Sequence, residues 1–117
     1  MKHFLAIYTG TAENSEARWG TLSESQRQER LTEGLKAWHD WAARHKDAIV
    51  EMGAPLGKTK RTGPDGISDI RNAMTGFTVV KAESHEAAAK LFENHPHFAI
   101  FPGDAVEVME CLPIPGM

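Results

Sequence analysis

The sequence predicts an α+β domain built on an antiparallel sheet, and two observations lead to this fold class. Short stretches of β-branched and aromatic residues alternate with stretches whose apolar residues recur at three- and four-residue spacing. Their order is strand, helix, strand, strand, helix, strand, which is the split βαβ or ferredoxin-like arrangement. The chain has 117 residues, which is room for one domain spanning residues 1–117.

The first strand and the first helix have clear sequence signals. The segment HFLAIYT (residues 3–9) is short, apolar and followed by Gly10, as expected of a strand. Ser23 followed by Gln26 is a capping-box pattern, in which each side chain binds the other residue's free backbone amide. The apolar stripe that follows predicts one long helix ending at Gly53. The stripe consists of Leu31, Leu35, Trp38, Ala42, Ile49 and Met52.

The second half of the chain contains a turn, two strands and a helix. The residues Gly63-Pro64-Asp65-Gly66 predict a tight turn, and therefore a hairpin or an irregular arm, because proline presets φ and glycine permits a positive φ. A strand over residues 74–82 follows, and Ser84 can cap a second helix. The segment AVEVMECL (residues 105–112) supplies the last strand.

One face of the predicted sheet lacks a cover. Both crossovers of a ferredoxin-like domain place their helices on the same face. Six apolar strand residues are more than two helices can cover, so some must project to the opposite face. They are Leu5, Ile7, Phe77, Val79, Val106 and Val108. We therefore expect a homodimer with sheet packed on sheet, a dimeric α/β barrel. The alternative is a monomer with a mostly polar open face, to which Thr78, Lys81, Glu107 and Glu110 contribute.

Composition excludes several classes of partner. Lys and Arg number 13 against 16 Asp and Glu, for a formal net charge of -3, and no basic stripe is interleaved with aromatic residues. Nucleic acid is therefore not expected as a partner. The N-terminal apolar run is too short for a signal peptide or a membrane span. The single cysteine, Cys111, cannot form an intrachain disulfide, so a cytoplasmic location is expected.

Three stretches after the AWHDW helix resemble the YCII-related proteins, also called the DGPF group. They are MGAPLGKT, TGFTVVKAESHEAAAKLFENHPHF and PGDAVEVMECLPIPG, and the resemblance covers nearly the whole chain. It implies a dimeric α+β barrel and an active site with a histidine on the first helix and an aspartate just before the proline that follows the second helix. Here His95 stands before that proline, and Lys36 and Trp38 occupy the matching helix stretch, with His39 next door. The histidine–aspartate pair is therefore not intact.

Two histidines flank Pro96, where the second helix stops. Proline pushes His95 toward an extended conformation, in which residues two apart share a face, so His95 and His97 are predicted to point into one cleft. With Asp104 nearby, they are the candidate catalytic residues for acid–base chemistry near neutral pH. The structural alternative is that His95 binds the last helix carbonyls and His97 is a packing residue.

The candidate substrate-binding residues are Trp38, Trp41 and His39, although the two tryptophans are alternatively core anchors. No metal or other cofactor is expected, because His39 and His45 lie on different helix faces and no metal-binding spacing unites the histidines. Two functions remain open. One is a small enzyme that moves protons on a small polar organic molecule in a cleft of the dimer, and the other is a noncatalytic domain that binds a metabolite there.

Overall fold

A computed structural model, which describes residues 1–117, confirms the α+β class and the antiparallel sheet. The strands are β1 (Lys2–Thr9), β2 (Ile49–Glu51), β3 (Thr59–Gly63), β4 (Gly66–Ile70), β5 (Met74–Ala82) and β6 (Ala105–Glu110). The helices are α1 (Ala12–Trp19), α2 (Glu24–Arg44), α3 (His85–Lys90) and α4 (Pro96–Ala99). Four strands form an antiparallel sheet in the order β2-β5-β1-β6, with helices between β1 and β2 and between β5 and β6. This is the predicted ferredoxin-like arrangement.

The core lies between the sheet and the helices α2 and α3. Alternation along β1 places every second side chain on the helix-covered face of the sheet. The buried apolar residues are Phe4, Ala6, Tyr8, Trp41, Val80, Ala82, Ala88 and Phe92. On the opposite face Leu5 stands across from Val79, and Ile7 across from Phe77, all four only partly buried. Of the six apolar strand residues named in the sequence analysis, Val106 and Val108 pack against the core. The other four lie on the open face.

The long helix ends at Arg44, so the prediction that it continues to Gly53 is wrong. The backbone N–H of His45 donates to the Trp41 carbonyl and closes the last turn. The residues Ile49–Glu51 then form β2, which pairs with β5 at the sheet edge. Adjacent β-branched side chains favour an extended backbone, and their match to the helical stripe is a coincidence of spacing.

Two short helices, α1 and α4, were absent from the sequence prediction. The first follows Thr11, whose side chain accepts the N–H of Asn14 and so caps the helix. The second begins at Pro96 itself. Proline suits the first helical position because its missing N–H would have no partner there. The second predicted helix, α3, already ends at Lys90, so the prediction that Pro96 stops it is wrong, and Pro96 instead begins α4.

The hairpin of β3 and β4 forms at the predicted turn, with Gly63 paired to Gly66, whose φ is 103°. The chain is flat, measuring 54 × 43 × 19 Å along its principal axes. The Cα radius of gyration is 16.2 Å, against about 13 Å for a compact domain of this length. The accessible surface is 8220 Å², against about 6,300 Å² for a monomer of this mass. None of the four helices has the length and apolar character that crossing a membrane requires.

Candidate functional site

His95 lies inside a buried aromatic cluster. Its side chain is fully buried, with an exposed fraction of 0%. Four rings surround it at centroid distances of 4.5 Å, 4.6 Å, 5.2 Å and 5.8 Å, and they belong in that order to Trp38, Trp41, Tyr8 and Phe92. The His95 Nδ1 accepts the backbone N–H of His97 at 3.0 Å. Because Nδ1 accepts, the neutral ring carries its proton on Nε2, which is buried and has no hydrogen-bond partner.

This environment keeps the His95 ring neutral. Burial, together with the smaller effects of the nearby His97 and His45, lowers the pKa of His95 from 6.5 to about 3. Removing a charged imidazolium from water is costly, and the apolar rings around His95 give no carboxylate that would offset the cost. The ring has no contact with solvent through which it could exchange a proton with a molecule outside.

His97 has a different environment. Its exposed fraction is 9%, and its Nε2–H donates to the Thr9 carbonyl at 2.7 Å. That bond fixes the tautomer and leaves the lone pair on Nδ1. Nδ1 makes no hydrogen bond within the chain, yet it is not sealed from solvent. Burial lowers the pKa of His97, and the Arg18 guanidinium lowers it too, while the Thr9 carbonyl and the Asp104 carboxylate act in the opposite direction. The ring is a neutral base with one free nitrogen.

The chain fits closely around the His97 ring. A Cβ atom on Gly103 would lie 2.3 Å from the ring, so only glycine fits at this position. Arg18 on α1 donates to the carbonyls of Gly103 at 2.7 Å and Phe98 at 2.8 Å. These bonds dock the unpredicted helix α1 on α4 and on the loop that follows it, and Gly103 of that loop lies against the His97 ring.

A cavity of about 480 Å³ opens beside His97, at the sheet edge where β2 ends. The lining residues are Tyr8, Leu31, Leu35, Trp38, His39, Met52, Gly53, Ala54, Pro55, Thr75, Gly76, Phe77, Thr78, His97 and Phe101. Most of the wall is apolar, and the polar groups are few. A concave apolar wall with a few converging polar groups is the common form of a small-molecule site.

A larger groove of about 1120 Å³ lies between the start of α1 and the β3–β4 hairpin. Its lining is mostly polar or charged, including Lys58, Lys60 and Arg71, and it contains neither His95 nor His97. Of these two, we assign the candidate site to the smaller cavity, because it combines mostly apolar walls with the His97 imidazole.

Tyr8 stands between the two histidines and was not a sequence-predicted site residue. Its ring centroid is 5.2 Å from that of His95 and 5.3 Å from that of His97. The Thr78 hydroxyl donates to the Met52 carbonyl at 2.9 Å, so the Tyr8 hydroxyl donates to Thr78 at 2.8 Å. Burial raises the pKa of Tyr8, and the bond to Thr78 opposes that change. Tyr8 is therefore a neutral hydrogen-bonding residue in the cavity wall.

The six predicted site residues fall into three places. Three of them, His97, Trp38 and His39, line the cavity. His95 and Trp41 are buried and do not line it, and the Trp41 Nε1–H donates to the Leu91 carbonyl at 2.7 Å. Asp104 is exposed and accepts the Asn14 amide N–H at 2.8 Å. No three His, Cys, Asp or Glu side chains are grouped so that they could hold a metal ion.

The fold resembles that of an enzyme whose structure has been solved. The structure of 5-chloro-2-hydroxyhydroquinone dehydrochlorinase (TftG) from Burkholderia phenoliruptrix AC1100, in complex with 2,5-dihydroxybenzoquinone, matches with a TM-score of 0.55. The match covers 94% of this chain and 93% of that chain at 18% sequence identity, so it shows a shared fold. No protein-family model matches the chain, and no curated protein does.

Proposed function

We propose that the cavity beside His97 binds a flat, hydroxylated small organic molecule and that His97 exchanges a proton with it through Nδ1. The observation that carries this proposal is the His97 imidazole, which lines a mostly apolar cavity and whose Nδ1 makes no hydrogen bond within the chain. A general base must be within hydrogen-bonding reach of the proton that it takes, and a cavity-lining imidazole meets this requirement.

The Thr9 carbonyl supports this chemistry. When Nδ1 takes a proton from a ligand hydroxyl, the ring becomes an imidazolium and the ligand an oxyanion. The hydrogen bond from Nε2–H to Thr9 then becomes charge-assisted and stronger. The Asp104 carboxylate also favours the charged ring. A backbone carbonyl thus takes the orienting role that a carboxylate has in a histidine–aspartate pair.

The cavity walls favour a flat ring as ligand. The side chains of Trp38, Phe77 and Phe101 all line the cavity, and aromatic side chains stack well on planar groups. The ligand held by the structurally similar dehydrochlorinase, 2,5-dihydroxybenzoquinone, is a planar molecule with hydroxyl groups. It is therefore a suitable first probe for this chain.

We also propose that a second copy of the chain covers the open sheet face, as in a dimeric α/β barrel. Leu5, Ile7, Phe77 and Val79 are only partly buried there, and Met109 is exposed. The surface exceeds that of a compact monomer by about 1,900 Å², and a standard interface buries about 800 Å² on each partner. Phe77 also lines the cavity, so a partner on this face would complete the outer wall of the site.

Family and location are part of the same proposal. The three quoted stretches and the shared fold support membership of the YCII-related group. The exposed, free thiol of Cys111 fits a reducing cytoplasm, since oxidising compartments favour disulfides.

Ligand binding is tested by titrating the protein with 2,5-dihydroxybenzoquinone while following tryptophan fluorescence. We expect saturable quenching that Trp38→Phe largely removes and the matched change Trp19→Phe retains, because Trp38 lines the cavity and Trp19 does not. His97→Gln should weaken binding about tenfold, the usual effect of losing a hydrogen bond to a charged group. Absence of saturable binding up to millimolar ligand contradicts the proposal.

Proton exchange is tested by measuring the nitrogen chemical shifts of the His97 ring in the free protein and in the ligand complex. A proton that passes from a ligand hydroxyl to Nδ1 inside the complex is not exchanged with the buffer, so the ring nitrogens are the direct readout. In the wild-type complex both ring nitrogens should show the shifts of an imidazolium. A His97 ring that stays neutral with the ligand bound would favour the noncatalytic alternative, in which the cavity only holds a metabolite.

The dimer is tested by sedimentation at micromolar concentration. We expect a particle of about twice the 12.9 kDa mass of one chain. Val79→Asp places a charge on the open face and should yield monomers, whereas Ile67→Asp, at a hairpin position that is 71% exposed, should not. A wild type that sediments as a single chain refutes the dimer.

A further inference from the structure

The helix that carries His97 is a single turn, the four residues Pro96–Ala99. An isolated turn of helix is unstable, because nucleation fixes several residues for very few hydrogen bonds. Contacts at its ends must therefore hold it in place. At its start, His95 serves as the N-cap residue, a role that Ser, Thr, Asp or Asn usually fills.

His97 is fixed at two points, and His95 provides one of them. The His97 backbone N–H donates to His95 Nδ1 at 3.0 Å, and the His97 ring donates through Nε2 to the Thr9 carbonyl at 2.7 Å. The first bond sets where the backbone of His97 lies, and the second sets the ring orientation. Together they determine the position and the orientation of the His97 ring beside the cavity.

The unpaired Nε2–H of His95 indicates that packing is not the reason for this residue. A buried donor without a partner is a cost, and such groups are rare in native structures. An apolar side chain would fill the space among the aromatic rings without that cost. What an apolar side chain lacks is the acceptor atom Nδ1, which the neutral ring presents to the first turn of α4.

We propose that His95 is a positioning residue whose neutral ring caps α4 through Nδ1 and thereby holds His97 at the cavity. The aromatic cluster of Tyr8, Trp38, Trp41 and Phe92 keeps the ring buried and oriented. The importance of His97 rests on the proposed function, but the effect of His95 on His97 can be measured without any ligand.

The test compares three variants by NMR titration of the His97 ring. His95→Asn keeps an oxygen acceptor of the kind that N-caps use, whereas His95→Leu keeps an apolar side chain and loses the acceptor. Ser84→Ala is the matched control, since it removes the N-cap that accepts the Ala87 N–H at the start of α3. In His95→Leu the His97 pKa should rise toward the ordinary value of 6.5, as α4 loosens and water reaches the ring. It should stay near the wild-type value in His95→Asn and in Ser84→Ala.

Affinity for 2,5-dihydroxybenzoquinone should follow the same order, with a loss of up to about tenfold in His95→Leu and recovery in His95→Asn. An unchanged His97 pKa in His95→Leu overturns the proposal, and so does an equal change in His95→Asn, since packing alone would then explain it. If the ligand does not bind at all, the proposed function fails while the titration still decides the role of His95.

A measurement on wild type covers the case in which His95→Leu does not fold. Nitrogen chemical shifts should place the His95 proton on Nε2, and a coupling through the hydrogen bond should link the His97 amide to His95 Nδ1. A His95 ring protonated on Nδ1 overturns the proposal, because such a ring cannot accept the His97 N–H.

Discussion

His95 and His97 have opposite surroundings although only Pro96 separates them. The His95 ring is enclosed by aromatic side chains, and its Nδ1 accepts the backbone N–H of His97. The His97 ring donates its Nε2–H to the Thr9 carbonyl and lines a cavity, and its Nδ1 makes no hydrogen bond within the chain. The difference arises because a helix begins between them, so the chain turns where an extended strand would have kept both side chains on one face.

The same division separates two tryptophans of α2. Trp41 is buried with His95 and donates to the Leu91 carbonyl. Trp38 lies nearly one turn earlier. Its ring centroid is 4.5 Å from that of His95, and the residue also lines the cavity. A sealed cluster of His95, Trp41 and Phe92 thus supports a cavity wall that includes His97 and Trp38. The sealed cluster should govern stability, and the cavity wall should govern ligand binding.

The largest expected effect is the acid sensitivity that His95 imposes. Because its pKa is lowered to about 3 in the folded chain, against 6.5 ordinarily, the unfolded chain takes up the proton first as pH falls. The free energy of unfolding should therefore decrease below pH 6.5, by about 2 kcal/mol from pH 7 to pH 5 and by about 4 kcal/mol from pH 7 to pH 3. Urea unfolding at several pH values measures this slope.

His95→Asn is the control for that slope, because asparagine retains a capping acceptor but does not titrate. Its stability should fall less steeply between pH 7 and pH 5 than that of wild type. His97 and His45, whose pKa values are also lowered by burial, remain in both proteins and cancel in the comparison. Equal slopes would mean that His95 titrates normally and is not sealed.

Next in size is the contrast between the two tryptophans. Trp41→Ala should lower the free energy of unfolding by about 3–5 kcal/mol, because it empties a fully packed site. Trp38→Ala should cost clearly less, since the cavity already exposes part of that ring, yet it should be the variant that loses ligand binding. Denaturant unfolding and fluorescence or calorimetric titration separate the two effects. Similar stability losses in both would contradict the division into a sealed cluster and a cavity wall.

Gly103→Ala is expected to disturb His97 alone. The added methyl would lie 2.3 Å from the ring, so the ring or the loop must move. Overpacking of this kind costs about 1–3 kcal/mol, and the bond to Thr9 should weaken. The matched change is Gly57→Ala, where nothing lies within 4 Å of the new methyl. That variant should be within about 0.5 kcal/mol of wild type. A His97 pKa and ligand affinity unchanged in Gly103→Ala would show that the ring position is not critical.

The sequence predicted the sheet more reliably than the site. Strands β1 and β5 are short, apolar stretches rich in β-branched and aromatic residues, a pattern typical of strands. The capping box at Ser23 correctly predicted where α2 begins. The end of α2 was missed because Ile49 and Met52 continue its apolar spacing by chance. Only the pairing of Ile49 with Val80 across the sheet shows that this segment is a strand.

The site could be predicted only in part, because it is formed by contacts between residues that are far apart in the sequence. Proline after a histidine suggested a stop, but the same pattern also suits a helix that starts at Pro96. The cavity further needs Tyr8 from β1 and Phe101 from the loop after α4, and these meet only when the sheet has formed. A signal was present for Tyr8, since its place in the alternation of β1 puts it on the same face as Phe4 and Ala6.

The smallest expected effect tests the residue that touches both histidines. Tyr8→Phe keeps the ring between His95 and His97 and removes only the hydroxyl that donates to Thr78. Thr78 still donates to the Met52 carbonyl, so no buried donor is left unpaired, and the loss in unfolding free energy should be about 1 kcal/mol or less. The His97 pKa should be unchanged and the ligand affinity within about twofold, because the free imidazole nitrogen is untouched. If Tyr8→Phe instead weakens binding as much as His97→Gln does, the ligand depends on the tyrosine hydroxyl. The hydrogen-bonded pair of Tyr8 and Thr78 would then be part of the binding site.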